Sequence, residues 1–140
     1  MSTVRSIMTR NIVKIDRDTM ICELEGLFIS HKISAAPLVD KEGHLTGFVT
    51  KSDINRFHFT EGDPFYTRAW EIASPNVVTI DAEASIEEAA NLMVEKHMHH
   101  LLVVNSETAD NPETMAGLLS SFDFIKLATG KHPAMNQGPY

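Results

Sequence analysis

Short apolar runs alternate with stretches of helical spacing along the 140-residue chain, and the whole order occurs twice. Asn11-Ile12-Val13-Lys14-Ile15 is short and rich in β-branched residues, which predicts a strand. Ile21, Leu24, Leu27 and Phe28 follow at three- and four-residue spacing and predict an amphipathic helix. Ala36-Pro37-Leu38-Val39 reads as a buried strand, and Asp40-Lys41-Glu42-Gly43-His44 as a tight hairpin turn. Gly47-Phe48-Val49 is the returning strand, and Ile54, Phe57 and Phe59 give the next helix an apolar side. Gly62-Asp63-Pro64 marks a loop, after which the order restarts. Asn76-Val77-Val78-Thr79-Ile80 is the matching strand. Ser85-Ile86-Glu87-Glu88 is a capping box that opens a helix with Ile86, Ala89, Ala90, Met93 and Val94 on one face. Leu101-Leu102-Val103-Val104, Gly117-Leu118-Leu119, and Phe124, Ile125 and Leu127 complete the second copy.

The pattern therefore predicts an α/β (α+β) protein made of two β-α-β-β-α repeats, at 1–59 and 69–129. A linker at 60–68 joins them, and a tail at 130–140 is expected to be mobile or to pack on a partner. Residues 6–16 lie over 71–81, and Ile7, Asn11, Val13, Ile15 and Asp16 have identical counterparts. The copies differ in detail. Met20 aligns with Ser85, so Asp18 or Thr19 is expected to cap the first helix. Gly26 costs that helix about 1 kcal/mol against alanine, a cost that close approach of another backbone would explain. The second hairpin has a longer polar loop, 106–114, containing Pro112.

One motif closes the hairpin in both copies. Gly47-Phe48-Val49-Thr50-Lys51-Ser52-Asp53 and Gly117-Leu118-Leu119-Ser120-Ser121-Phe122-Asp123 each carry a glycine, two apolar residues, a hydroxyl and, three residues on, an aspartate. The hydroxyl falls where a strand becomes a helix. Backbone N–H groups and the positive end of the helix dipole point outward there, which suits phosphate. Thr50 and Ser120 can cap the helix or donate to a phosphate oxygen. Asp53 and Asp123 can accept from a capping amide or from ribose hydroxyls. Capping alone explains a single copy. The recurrence favours a ligand.

Composition narrows the function. Apolar and charged contents of 43% and 22% are ordinary for a globular protein. A net charge of −7 argues against a nucleic-acid surface. Cys22 is the sole cysteine, which excludes an intramolecular disulfide and leaves secretion unsupported. No apolar run reaches the length of a membrane span, and the first residues lack a signal-peptide core, so no membrane insertion and a cytoplasmic location are expected.

The β-α-β-β-α unit, the Ala36-Pro37-Leu38-Val39-Asp40 strand and the paired Gly-apolar-apolar-(Thr/Ser)-x-x-Asp endings resemble a tandem pair of cystathionine-β-synthase (CBS) domains, a Bateman module. The resemblance runs from about Val4 to about Ala128. It implies a pseudo-twofold disc with two clefts between the paired sheets. It implies AMP, ADP, ATP or S-adenosylmethionine as regulatory ligand, with no obligatory cofactor. It also implies control of an enzyme, channel or transporter, here a separate protein because the chain leaves no room for an attached domain. Carried over by position, Asn11 and Val13 would contact the adenine and Ile33 and Ser34 would line the base pocket. Thr50 would meet a phosphate or ribose oxygen, and Asp53 the ribose hydroxyls. Asn76, Val78, Met98, His99, Ser120 and Asp123 would take the same roles in the second cleft. Leu102 stands where the first repeat has Pro37. The alternative is a structural interaction module whose clefts are empty.

His97-Met98-His99-His100 places three imidazoles close together in sequence. Metal binding is the weakest reading, since a helix should end at His97 and a strand begin at Leu101, splaying the rings. Solvated surface histidines are the plainest one. The family resemblance implies phosphate contact by His99 and His100. Cys22 reads as a small buried residue. Arg10, Lys51, Arg56 and Arg68 read as surface charges, with Lys51 the best placed to serve a cleft. Phe65 and Trp70 read as seals of the repeat interface. No Walker loop, nucleophile elbow or His-Glu-x-x-His motif is present, and no catalytic constellation emerges, so the chain is not expected to be an enzyme. Leu27, Phe28, Leu92 and Met93 exceed what one buried helix face needs, which predicts a homodimer.

Overall fold

The computed structural model describes residues 2–105 and 115–131. The enlarged loop at 106–114 and residues 132–140 of the tail lie outside the described residues. The chain forms two compact units, Val13–Val77 and a second made of Met1–Ile12 with Val78–Tyr140.

The Val13–Val77 unit contains β1 (Ile15–Asp16), α1 (Ile21–His31), β2 (Ala35–Val39), β3 (Leu45–Thr50), α2 (Lys51–Phe57) and α3 (Ala69–Ile72). The sheet order is β1-β2-β3. β1 lies parallel to β2, with Ile15 opposite Leu38, and β2 antiparallel to β3, with Ala36 opposite Val49. The parallel pair needs a crossover, which α1 supplies. Ile21, Leu24 and Phe28 of α1 bury their stripe with Ile15, Leu38, Val49, Ile54 and Phe57. The hairpin turn closes with Asp40 N–H donating to the His44 carbonyl at 2.9 Å. Gly43 sits there at φ 84°, a conformation that glycine adopts without a Cβ clash.

The other unit repeats this plan. It contains the 3₁₀ turn Val4–Ser6, β4 (Thr79–Asp81), α4 (Ile86–Lys96), β5 (His100–Val104), β6 (Met115–Ser120) and α5 (Ser121–Ala128). β4 is parallel to β5 and β5 antiparallel to β6, with Ile80 opposite Val103 and Leu101 opposite Leu119. Val4, Ile7, Met8, Ala89, Met93, Leu101, Val103 and Leu119 form its core. α1 and α4 end alike: Lys32 and His97 both take φ 54°, the left-handed cap.

The lead-in segments are exchanged between the repeats. Phe48 and Ser74 trade two backbone hydrogen bonds, of 2.9 and 3.0 Å, so the stretch before β4 edges the first sheet. Thr9 and Leu118 trade two, of 2.8 and 2.9 Å, so the stretch before β1 edges the second.

Several sequence expectations change. The predicted strands at 11–15 and 76–80 shorten to Ile15–Asp16 and Thr79–Asp81. Neither Asp18 nor Thr19 caps α1. Met20 is the N-cap and makes no side-chain bond. The free amides of Ile21 and Cys22 instead donate to the carbonyls of Thr67 and Pro64, at 2.9 and 3.0 Å. Residues 60–68 thus do the work of a cap. In α4, Ser85 does accept from the Glu88 amide at 3.0 Å. Val94, placed on the apolar face by spacing, is 75% exposed. Gly26 faces open space, so no backbone approaches it. Phe28 and Met93 are buried, and Leu27 and Leu92 pack on the same cores, so these four are not surplus. Phe65 is 68% exposed and seals nothing.

Candidate functional site

Each unit brings a hydroxyl, a carboxylate and a short loop together at the start of its last repeat helix. In the Val13–Val77 unit, β3 runs into α2 at Thr50. Thr50 donates to Asp53 Oδ2 twice, from its amide at 2.8 Å and from Oγ1 at 3.0 Å. The Asp53 amide donates back to Thr50 Oγ1 at 3.3 Å. This is a reciprocal capping box. Asp53 Oδ1 faces outward and pairs with Arg56 Nη1 at 3.2 Å. The Lys51 amide donates to the Ser34 carbonyl at 2.8 Å, tying the loop before β2 to the helix start.

The second unit copies the arrangement with different side chains. The Ser120 amide donates to Asp123 Oδ2 at 2.9 Å and its hydroxyl at 3.4 Å. The Ser121 amide donates to the His99 carbonyl at 2.8 Å. Ser121 Oγ lies 3.5 Å from His99 Nδ1, which holds the imidazole beside the first turn of α5. His100 opens β5 directly opposite Ser120 in the ladder. Asp123 is only 7% exposed. Asp53 is half-buried, so the second carboxylate sits deeper in its unit than the first.

The two units thus gather Ser34, Thr50 and Asp53 in one place, and His99, His100, Ser120 and Asp123 in another. Val13 and Ile33 pack against the core of the first unit, and Val78 against that of the second. Met98 is half-buried, and its amide closes α4 on the Met93 carbonyl at 2.9 Å. Asn11 and Asn76 are exposed and belong, through the exchanged lead-ins, to the unit opposite to the rest of their repeat. The histidines of 97–100 diverge: His97 is the exposed left-handed cap, and His99 turns to Ser121. Among the described residues no three His, Cys, Asp or Glu side chains gather as a metal site would require.

A cavity of about 540 Å³ opens between α1 and α2. Phe28, Ile33 and Ile54 give it apolar walls, and Ser34, Lys32 and Lys51 give it polar ones. Thr50 and Asp53 do not line it. Ile33 and Ser34 therefore face a space on the helical side, whereas the Thr50–Asp53 pair is engaged in capping. Lys51 stood out from its place after Thr50. Lys32 did not, because the left-handed turn that aims it follows from packing rather than from any motif.

Among the described residues, no helix is long and apolar enough to cross a membrane.

Comparison with known proteins agrees with this architecture. The family model described as "CBS domain" matches residues 4–58 and again 69–130. A homoserine O-acetyltransferase of Methanocorpusculum labreanum is 35% identical over 119 residues. That match takes in 85% of this chain but only 23% of the enzyme, so the likeness is to a small part of that protein. Among solved structures, the CBS domain pair of protein MJ0100, in complex with 5′-methylthioadenosine and S-adenosyl-L-methionine, superposes with a TM-score of 0.79. It is 24% identical, over 94% of this chain and 98% of that one. CBSX2 in complex with AMP superposes with a TM-score of 0.73, at 21% identity over 92% and 97% of the two chains. At these identities the superpositions speak for the fold. With the family model matched twice, over both β-α-β-β-α repeats and their lead-ins, the chain belongs to the CBS domain family as a tandem pair.

Proposed function

We propose that the chain is a non-catalytic regulatory module of the cytoplasm that binds an adenosine-containing ligand, AMP, ADP, ATP or S-adenosylmethionine, and modulates a partner protein as a homodimer. The observation that carries this reading is the recurrence, in both units, of a hydroxyl and a carboxylate fixed at a helix start beside a carbonyl-anchored loop. Two relatives of the same fold are complexes with adenosine compounds, which supports the ligand class.

In this reading Asp53 and Asp123 accept from ribose hydroxyls, Thr50 and Ser120 meet a ribose or phosphate oxygen, and His99 and His100 contact phosphate. Ile33, Ser34, Val78, Val13 and Met98 border the base, and Asn11 and Asn76 add contacts to the adenine.

A second reading is favoured by one observation. Both oxygens of Asp53 have partners within the unit, Thr50 on one and Arg56 on the other. A carboxylate partnered in this way fits a structural role, in an interaction module with no ligand. Isothermal titration with AMP, ADP, ATP and S-adenosylmethionine separates the two. Saturable heat with any of them supports the regulatory module. Silence with all four supports the interaction module. Sedimentation at micromolar concentration tests the dimer, and a monomeric mass overturns it.

A further inference from the structure

A second pocket, of about 220 Å³, lies within the Val13–Val77 unit away from Thr50 and Asp53. Its polar centre is Arg17, which follows β1. The guanidinium carbon sits 5.3 Å from the centroid of the Trp70 ring, on α3. The backbone fixes both residues: the Arg17 amide donates to the Val39 carbonyl at 2.8 Å, and the Trp70 amide to the Arg17 carbonyl at 3.1 Å. Ala73 and Pro75 supply apolar walls, and Thr46, whose hydroxyl donates to the Leu38 carbonyl at 3.3 Å, lines the rim.

Among the described residues the indole is the side-chain partner of this guanidinium, and no carboxylate pairs with it. The other arginines of the unit differ. Arg56 pairs with Asp53, and Arg68 donates to the Asp18 carbonyl at 2.9 Å. An arginine stacked on an aromatic face loses rotamer freedom but keeps its N–H fork, which matches a carboxylate in bidentate fashion. The pocket is smaller than the roughly 300–1,000 Å³ of sites for drug-sized molecules. It is too small for a nucleotide and suits a short acid.

We infer that the Arg17–Trp70 pocket is a binding site for a small organic carboxylate, its carboxyl group held by the Arg17 fork and its short apolar body against Ala73 and Pro75. The inference is independent of the adenosine-ligand reading, since none of these residues takes part in it.

Trp70 is the sole tryptophan of the chain, so fluorescence excited selectively at tryptophan, apart from the two tyrosines, reports on this pocket. The protein is titrated with acetate, propionate and butyrate, and with inorganic phosphate and chloride at matched ionic strength. The expected result is a saturable change with the carboxylates, tightening from acetate to butyrate, and a flat response to chloride. Arg17→Gln should raise the apparent Kd for butyrate at least tenfold. Arg17→Lys, which keeps the charge and loses the fork, should weaken it as well. Circular dichroism checks that both variants fold. If neither does, the wild-type protein labelled with ¹⁵N still decides, through shifts of the Arg17 side-chain and Trp70 indole N–H signals on adding butyrate. The inference is overturned by no saturable change, by an equal response to chloride, by a response to phosphate alone, or by folded Arg17 variants that titrate like the wild type.

Discussion

Gly47 lies flat against Ser74: a Cβ built on the glycine would stand 2.9 Å from the Ser74 carbonyl oxygen. The second unit repeats the relationship. A Cβ on Gly117 would stand 2.6 Å from the Thr9 carbonyl oxygen and 2.7 Å from Met8 Sδ. These are the first residues of the motif that recurs along the chain. They are glycines because an exchanged lead-in runs over each of them.

Gly47→Ala and Gly117→Ala should therefore each destabilise the protein, by about 1–3 kcal/mol, the usual cost of forcing atoms into a packed region. Backbone cannot yield as a flexible side chain would. Urea denaturation of each variant checks this. An unchanged midpoint for both would mean that the lead-ins are not held against the sheets in solution.

Gly26→Ala should act in the opposite direction. Gly26 is exposed within α1, and nothing lies within 4 Å of a Cβ placed there. Alanine removes the helix penalty of glycine and narrows the unfolded ensemble, for a gain of about 0.4–1 kcal/mol. A rise in thermal midpoint checks it. A fall would mean that this face of α1 is not open in solution.

The repeat, the first hairpin and most positions of the helix faces were legible in the sequence, because each rests on local spacing, whereas Phe59, Val94 and Ile125, assigned to apolar faces, are exposed. Ile21, Leu24 and Phe28 line one face of α1 wherever the rest of the chain goes. The exchanged lead-ins were not legible. Phe48 meeting Ser74, and Thr9 meeting Leu118, are pairings across long separations that no periodicity marks. The missing cap of α1 failed for the same reason, since its substitute is the Pro64 and Thr67 carbonyls. At the site, Thr50 and Asp53 were legible as a pair from their three-residue spacing. That Arg56 closes the outer oxygen of Asp53, and that Arg17 stacks on Trp70, depended on side-chain directions that emerge only on folding.

The hairpin turn gives a prediction about acid. Asp40 Oδ1 accepts from the His44 amide at 2.8 Å and from the Glu42 amide at 2.9 Å. The His44 amide is the main cause that holds the carboxyl below its ordinary value of 3.8; desolvation opposes it, and the Glu42 amide and the charge and side chain of His44 add to the lowering. A lowered pKa in the fold means a contribution to stability that is present above 3.8 and lost as pH falls through the folded value. Carbon-13 NMR of the Asp40 carboxyl should therefore titrate with a midpoint below 3.8. A midpoint at or above it would mean that the turn is open in solution. Asp40→Asn should flatten this part of the acid response.

The aspartates at the two helix starts carry the last prediction, because the proposed ligand and the cap compete for the same groups. If a ribose takes hydroxyl hydrogen bonds to Asp53, the contact is charge-assisted and contributes about 1.5–3 kcal/mol. Asp53→Ala should then weaken adenosine-ligand binding by roughly ten- to a hundredfold. Stability should fall too, by about 0.5–2 kcal/mol, because Thr50 loses the acceptor for its amide. Asp123→Ala should cost more stability, since the Ser120 amide would lose its acceptor where Asp123 is 7% exposed. Arg56→Gln separates the two roles. It releases Asp53 Oδ1 and leaves the cap through Oδ2 intact, so stability should change little while affinity rises severalfold. Calorimetric titration of the four proteins, wild type and three variants, beside their urea midpoints gives the answer. If Asp53→Ala and Asp123→Ala lose stability but keep the wild-type affinity, both carboxylates are caps alone, and ribose recognition must lie elsewhere in the chain.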